Sequence, residues 1–160
     1  MLSQRRHIER LGQIWVTTGP VYFLTCCSYK RRPILTVAGS ARVIRAAFEG
    51  SREAVGWTIG RYVIMPDHVH FFPPPFLDAG QNVSDLVRSF KVFTARRIST
   101  LGYQLPIWQR EFFDHVLRSG ESYTSKWEYV RENPVRAGLI SRWDEWPHQG
   151  EIFEIPGALW

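Results

Sequence analysis

Two short stretches hold side chains whose types and spacing could do chemistry. In the first, Pro66-Asp67-His68-Val69-His70-Phe71-Phe72, the histidines stand one residue apart in an apolar run. Alternate side chains of a strand share a face, so His68 and His70 project together while Val69 and Phe71 project the other way. Paired neutral imidazoles commonly seat a divalent metal. The same spacing suits two exposed histidines with no ligand, so this motif alone leaves both readings open. In the second stretch, residues 121–134, helical spacing puts Tyr123, Trp127 and Val130 within about 60° of one another as a buried stripe. Tyr129 lies about 100° or more off that stripe, with Asn133 beside it at i+4 and Lys126 on the same polar side. Its neighbours take the core positions, which leaves Tyr129 displayed.

A displayed phenol near a metal suggests phosphodiester chemistry. A tyrosine hydroxyl can attack a backbone phosphate in line and form a phosphotyrosine, which conserves the bond for a second transfer. A metal on His68 and His70 would polarise the phosphate, and the Asn133 amide oxygen would be a third, hard ligand suited to Mg2+ or Mn2+. The charge balance fits a polyanionic partner, nucleic acid first: the net charge is +5 and the pI near 9.6. Residues 141–160 set Asp144, Glu145, Glu151 and Glu154 against Arg142, so the rest of the chain is more basic still. A basic protein with no such partner would show the same charge.

The elements that must position these groups read in order. Residues 20–29 form a β-branched and aromatic strand, followed by the basic turn Lys30-Arg31-Arg32-Pro33. Residues 38–56 carry Val43, Ile44, Ala47, Phe48 and Val55 at helical intervals and stop at Gly56. Residues 57–75 read as strand, Pro-Asp turn and strand, the second cut short by Pro73, Pro74 and Pro75. A helix opens at Asn82 with Asp85 in capping position and runs to about residue 100, and residues 110–119 make a fourth strand. The last helix is ended or kinked by Pro134. The order βαββαβ plus a helix predicts an α+β, ferredoxin-like sandwich: a four-stranded antiparallel sheet with two helices on one face and an additional C-terminal helix carrying Tyr129.

At 160 residues the chain reads as one domain, with a basic arm over 1–19, a core over 20–140 and an acidic tail over 141–160. No apolar run approaches the roughly 20 residues needed to span a bilayer, and the basic start lacks the apolar segment of a secretory signal. Adjacent Cys26 and Cys27 read as reduced packing residues of a cytoplasmic protein, and a DNA partner would make it nucleoid-associated. Candidate phosphate contacts are Arg5 and Arg6 on the arm (with Arg10), Lys30 and Arg31 on the turn, Arg88, Lys91 and Arg96 on the second long helix, and Lys126 and Arg136 near Tyr129. The arm reads equally as a solvated terminus. Among seven tryptophans, Trp108 is the best placed to stack on an unpaired base. Asp114 and His115 are adjacent on a strand and so point to opposite faces, which argues against an acid/base pair.

These residues carry a family resemblance. "PDHVHFF" resembles the histidine–hydrophobic–histidine motif of the HUH endonucleases, and "IWQREFFDHVLRSGESY…WEYVRENPVRAGLI" is similar to the signature of the REP-associated tyrosine transposases. The resemblance runs from about Tyr22 to Ile140. It implies a ferredoxin-like sheet, His68 and His70 as metal ligands, Tyr129 as nucleophile and Asn133, in the same helix, as third ligand. It also implies a single-stranded DNA substrate folded as an imperfect hairpin, with cleavage leaving a 5′-phosphotyrosine and a free 3′-hydroxyl. Monomer and homodimer both stay open, since related transposases can set one subunit's helix against another's metal site. Two other functions stay open: a non-catalytic module that grips structured single strands over a relic site, and a metal-dependent hydrolase using water. Two departures stand out, the proline run and the acidic end "EIFEIPGALW". An autoinhibitory tail would predict higher DNA affinity once residues 141–160 are removed.

Overall fold

The computed structural model describes residues 21–37, 39–74, 82–117 and 120–155. Arg5, Arg6 and Arg10 lie outside the described residues, as do the last residues of the acidic end. The elements run β1 (Val21–Cys27), α1 (Ser40–Val55), β2 (Arg61–Ile64), β3 (His68–Phe71), α2 (Val83–Ser99), β4 (Phe113–Leu117), α3 (Gly120–Arg131), α4 (Asn133–Arg136) and β5 (Gln149–Glu151). The sheet is antiparallel with strand order β4-β1-β3-β2-β5. Its first four strands have the expected ferredoxin-like arrangement, and the fifth is an addition.

Alternation in the strands builds two separate cores. Leu24, Cys26, Tyr62, Ile64, Val69 and Phe71 turn to the face covered by α1 and α2 and pack with Ile44, Phe48, Leu86, Phe90 and Ile98. Phe48 is the hub, its ring centroid 5.0 Å from Phe71 and 5.2 Å from both Tyr62 and Phe90. Val21, Phe23, Val63, Met65 and Leu117 turn to the other face, where α3 lays down Tyr123, Trp127 and Val130. The stripe expected from the helical spacing is thus the one that packs. At the start of α2, Asn82 and Asp85 close a reciprocal capping box.

The proline run acts in two ways. β3 ends at Phe71, yet Phe72 still exchanges bonds, its N–H donating to Arg61 O at 3.0 Å and its carbonyl accepting from Gly60 N–H at 2.9 Å, and at Pro73, which has no donor, the carbonyl alone pairs, accepting from Tyr22 N–H at 3.0 Å.

Two expectations are corrected. The sheet gains a fifth strand beyond the four expected, from within the acidic end: Gln149–Glu151 pair with β2, and Glu151 meets its register partner Arg61 at 2.8 Å. A Cβ at Gly150 would come within 2.9 Å of the Tyr62 hydroxyl, so a larger residue there would make that ring shift. Trp108 is no base-stacking platform. It is 6% exposed, sits in the α1/α2 core and donates its indole N–H to Thr94 Oγ1 at 2.8 Å.

Candidate active site

Register puts the chemistry on the α3 face of the sheet. Cys27 pairs with His68 and Thr25 with His70, so both imidazoles share a face with Thr25 and Phe23. The rings stand 4.7 Å apart, nearly perpendicular. Each is fixed through Nδ1. His68 Nδ1 lies 2.7 Å from Asp67 Oδ1, and an ionised carboxylate only accepts, so Nδ1 carries a proton and donates it. His70 Nδ1 lies 2.7 Å from Thr25 Oγ1, and its ring stacks on Phe23 at 5.2 Å. Burial, then the positive charges of His68, Lys126, Arg31 and Arg136, push His70 down to about 3, so it is neutral at physiological pH. Burial alone would raise the Asp67 carboxyl, but the hydrogen bond and charge of His68, with the charge and hydrogen bond of Arg31, hold it below the usual range.

The basic turn after β1 braces this arrangement. Lys30 and Arg31 both adopt φ of +54°, a left-handed conformation that costs about 1–2 kcal/mol per non-glycine residue. Arg31 then reaches Asp67 Oδ2 at 2.9 Å and Cys27 Sγ at 2.8 Å, while Ser28 Oγ donates to the Arg32 and Asp67 carbonyls. Arg31 therefore acts on the site through Asp67.

On α3, Tyr129 is 63% exposed, as its offset from the stripe requires. Lys126 Nζ hangs 4.9 Å from the centre of the Phe23 ring that backs His70, so α3 lies over the histidine face of its own chain. Asn133 is not in the same helix as Tyr129. α3 ends at Arg131, and Asn133 opens α4, where Pro134 takes a first-turn position that needs no N–H donor. Arg136 ties the two segments together: its guanidinium lies 4.1 Å over the Tyr129 ring, donates to the Tyr129 carbonyl at 2.6 Å and also donates to Asn133 Oδ1.

The remaining candidate cations divide by location. Lys126 and Arg136 stand on the site face, with Lys30 on the turn beside it. Lys91 is corrected: its ammonium donates to the carbonyls of Gln109, Arg110 and Glu111, pinning the loop before β4, and it has no donor left for a phosphate. Arg88 pairs with Asp85, and Arg96 is exposed; both are on α2, across the sheet from the histidines. His115 pairs with Phe23 and so faces the site, whereas Asp114 pairs with Leu24 and faces away. Thr25, Phe23 and the 58% exposed Phe113, which meets Phe23 edge-on at 6.4 Å, also belong to this face. They were missed because only strand register, which the sequence does not print, brings them to His70.

Two imidazoles on one face are a donor pair for a divalent metal. Both histidines have Nδ1 engaged and Nε2 left for a ligand, with a carboxylate–histidine arrangement at His68. Among the described residues no three His, Cys, Asp or Glu side chains cluster. The Asn133 amide oxygen, the third ligand expected from the sequence, accepts from Arg136 in this structure.

The class of protein, a transposase, is set by its family. Residues 18–133 match the family model described as "Transposase IS200 like", and the chain belongs to that family. The REP-associated tyrosine transposase of Escherichia coli K12 is 23% identical over 133 residues, 83% of this chain and 76% of that one. An uncharacterized Haemophilus influenzae protein is 27% identical over 100 residues, 48% of this chain and 54% of its own length. A solved REP-associated tyrosine transposase bound to a REP hairpin superposes with TM-score 0.69 at 20% identity, covering 95% of this chain and 96% of that one. No helix among the described residues is long and apolar enough to cross a membrane.

Proposed function

We propose that this transposase nicks and rejoins single-stranded DNA flanking a hairpin formed by a repetitive palindrome, with Tyr129 as nucleophile. The observation that carries the reading is the exposed Tyr129 on a helix laid across the same face as two imidazoles oriented through Nδ1, that of His70 held neutral. Tyr129 Oη forms a bond to phosphorus, the bond to the 3′-oxygen breaks, and the phenolic proton leaves with solvent or with that 3′-oxygen. The products are a 5′-phosphotyrosine and a free 3′-hydroxyl, and attack by a 3′-hydroxyl reverses the step. His68, His70 and Asn133 would hold Mg2+ or Mn2+, whose chemistry is to polarise the phosphate and stabilise its developing charge. Arg136 and Lys126 supply positive charge beside that phosphate. Because α3 lies on its own chain's histidine face, the arrangement supports a site completed within one subunit.

Incubation with a labelled hairpin and Mg2+ or Mn2+ should give a protein–DNA adduct that survives denaturation, and Tyr129→Phe should give none. An adduct of equal yield from Tyr129→Phe would overturn the assignment. One feature favours a binding module with a relic site: Arg136 already occupies Asn133 Oδ1. Salt-sensitive hairpin binding with no adduct under either metal would select that reading.

A further inference from the structure

Arg136 holds three groups at once. Its guanidinium lies 4.1 Å over the Tyr129 ring, donates to the Tyr129 carbonyl at 2.6 Å and donates to Asn133 Oδ1. It thus ties the last turn of α3 to the first residue of α4, and its charge is felt at His70. The bond to Asn133 bears on the metal. An amide oxygen has two lone pairs, so one stays free. A divalent cation taking it would nevertheless stand against a fixed positive charge and be repelled. With Arg136 in this place, Asn133 is closed to a metal.

Two observations say what would open it. Every acceptor that Arg136 meets among the described residues is neutral, whereas Arg31, Arg45, Arg61, Arg88 and Arg142 each meet a carboxylate. A guanidinium makes its strongest bonds as a two-pronged pair with a carboxylate or phosphate, so an arriving phosphate outcompetes an amide and a carbonyl. Arg136 is also exposed and stacked on the ring of the proposed nucleophile. A phosphate set for attack by Tyr129 therefore comes within its reach.

We propose that Arg136 is a positioning residue with two settings. Before DNA binds, it closes the Asn133 amide. When the phosphate reaches Tyr129, the guanidinium moves onto that phosphate, and Asn133 Oδ1 becomes free to ligate the metal. Metal and DNA then strengthen each other's binding reciprocally, and the third ligand is in place only when a strand is ready to be cut. This inference rests on the proposed function, and it gives a reversible role to the same contact that a relic site would keep closed.

The test is the cost of Asn133→Ala to Mn2+ affinity, read from the electron paramagnetic resonance of free Mn2+. All proteins carry Tyr129→Phe so that no strand is cut, and the hairpin alone is the blank. Without DNA and with Arg136 present, Asn133→Ala should change Mn2+ affinity by less than about 2-fold. It should cost about 10-fold once Arg136→Met is added, and about 10-fold when Arg136 is kept and a hairpin with single-stranded flanks is bound, within the usual range for coupled sites. Removing a positive charge raises Mn2+ affinity by itself, and so does a phosphate that ligates the metal. Neither makes Asn133 matter, so the cost of Asn133→Ala isolates the exchange. If Arg136→Met misfolds by circular dichroism, the hairpin arm decides alone. An equal cost in all states would make Asn133 a standing ligand, overturning the exchange and leaving the proposed function intact. A cost in no state, or in only one of two folded arms, would also overturn the exchange, with the Tyr129 adduct still deciding the nucleophile. Absence of Mn2+ binding in every state, with no adduct from protein that retains Tyr129, would overturn the proposed function as well.

Discussion

The two faces of the sheet are built from alternate residues of the same strands, yet they differ in kind. The α1/α2 face is a dry aromatic core in which Phe48, Phe71, Tyr62 and Phe90 interlock and the buried hydroxyl of Thr94 is fully engaged. The α3 face starts with an equally apolar patch but ends in imidazoles, cations and an exposed phenol. The period of two in a strand lets one sequence carry stability on one side and reactivity on the other. Substitutions should separate accordingly.

The largest contrast is between Phe48 and Tyr129. Phe48→Ala should cost about 3–5 kcal/mol of stability in urea unfolding, the range for emptying a buried aromatic site. Tyr129→Phe should change stability by no more than about 0.5 kcal/mol while abolishing the adduct. A strongly destabilised Tyr129→Phe would mean that the α3 face also carries the fold. Thr25→Val tests the link between the two roles: it removes the partner of His70 Nδ1 and should weaken Mn2+ binding by about 10- to 100-fold, measured calorimetrically, with little loss of stability. Unchanged Mn2+ affinity would remove His70 from the metal site. Trp108→Phe should cost about 1 kcal/mol through the lost bond to Thr94 and leave hairpin affinity untouched; weaker DNA binding would restore Trp108 to the nucleic-acid surface.

The smallest effect sharpens the same division in a single dipeptide. Cys26 faces the dry core, and burial pushes its thiol up to about 12, so it stays protonated and unreactive at pH 8. Cys27 faces the site side, half-buried under Arg31. Ellman's reagent at pH 8 should therefore find at most one thiol in the folded chain and two after denaturation. Two rapidly reacting thiols in the native protein would show that the first core opens.

Much of this division was legible in the sequence. The histidine alternation, the Tyr123-Trp127-Val130 stripe and the displaced Tyr129 all follow from local periodicity, which survives into the fold. What escaped was set by partners distant in the chain. Gln149-Gly150-Glu151 lacks alternating apolar residues and becomes a strand because β2 offers it an edge and Tyr62 covers the glycine. Lys91 looked like a phosphate contact on its helix, but the loop returning to β4 brings three carbonyls to it. The helix break before Asn133 was marked by Pro134, yet an i+4 spacing reads the same across a break.

The short pairing of β5 on β2 has a further bearing on how the protein behaves in solution. Backbone bonds from Ile64 to His148, Ile152 to Gly60 and Phe153 to Ile59 continue that pairing past the strand ends. A chain cut after residue 140 would bare a row of peptide donors and acceptors on an apolar strand, a template onto which a second copy can add. Such a truncation would report self-association and precipitation before it reported any gain in grip on DNA.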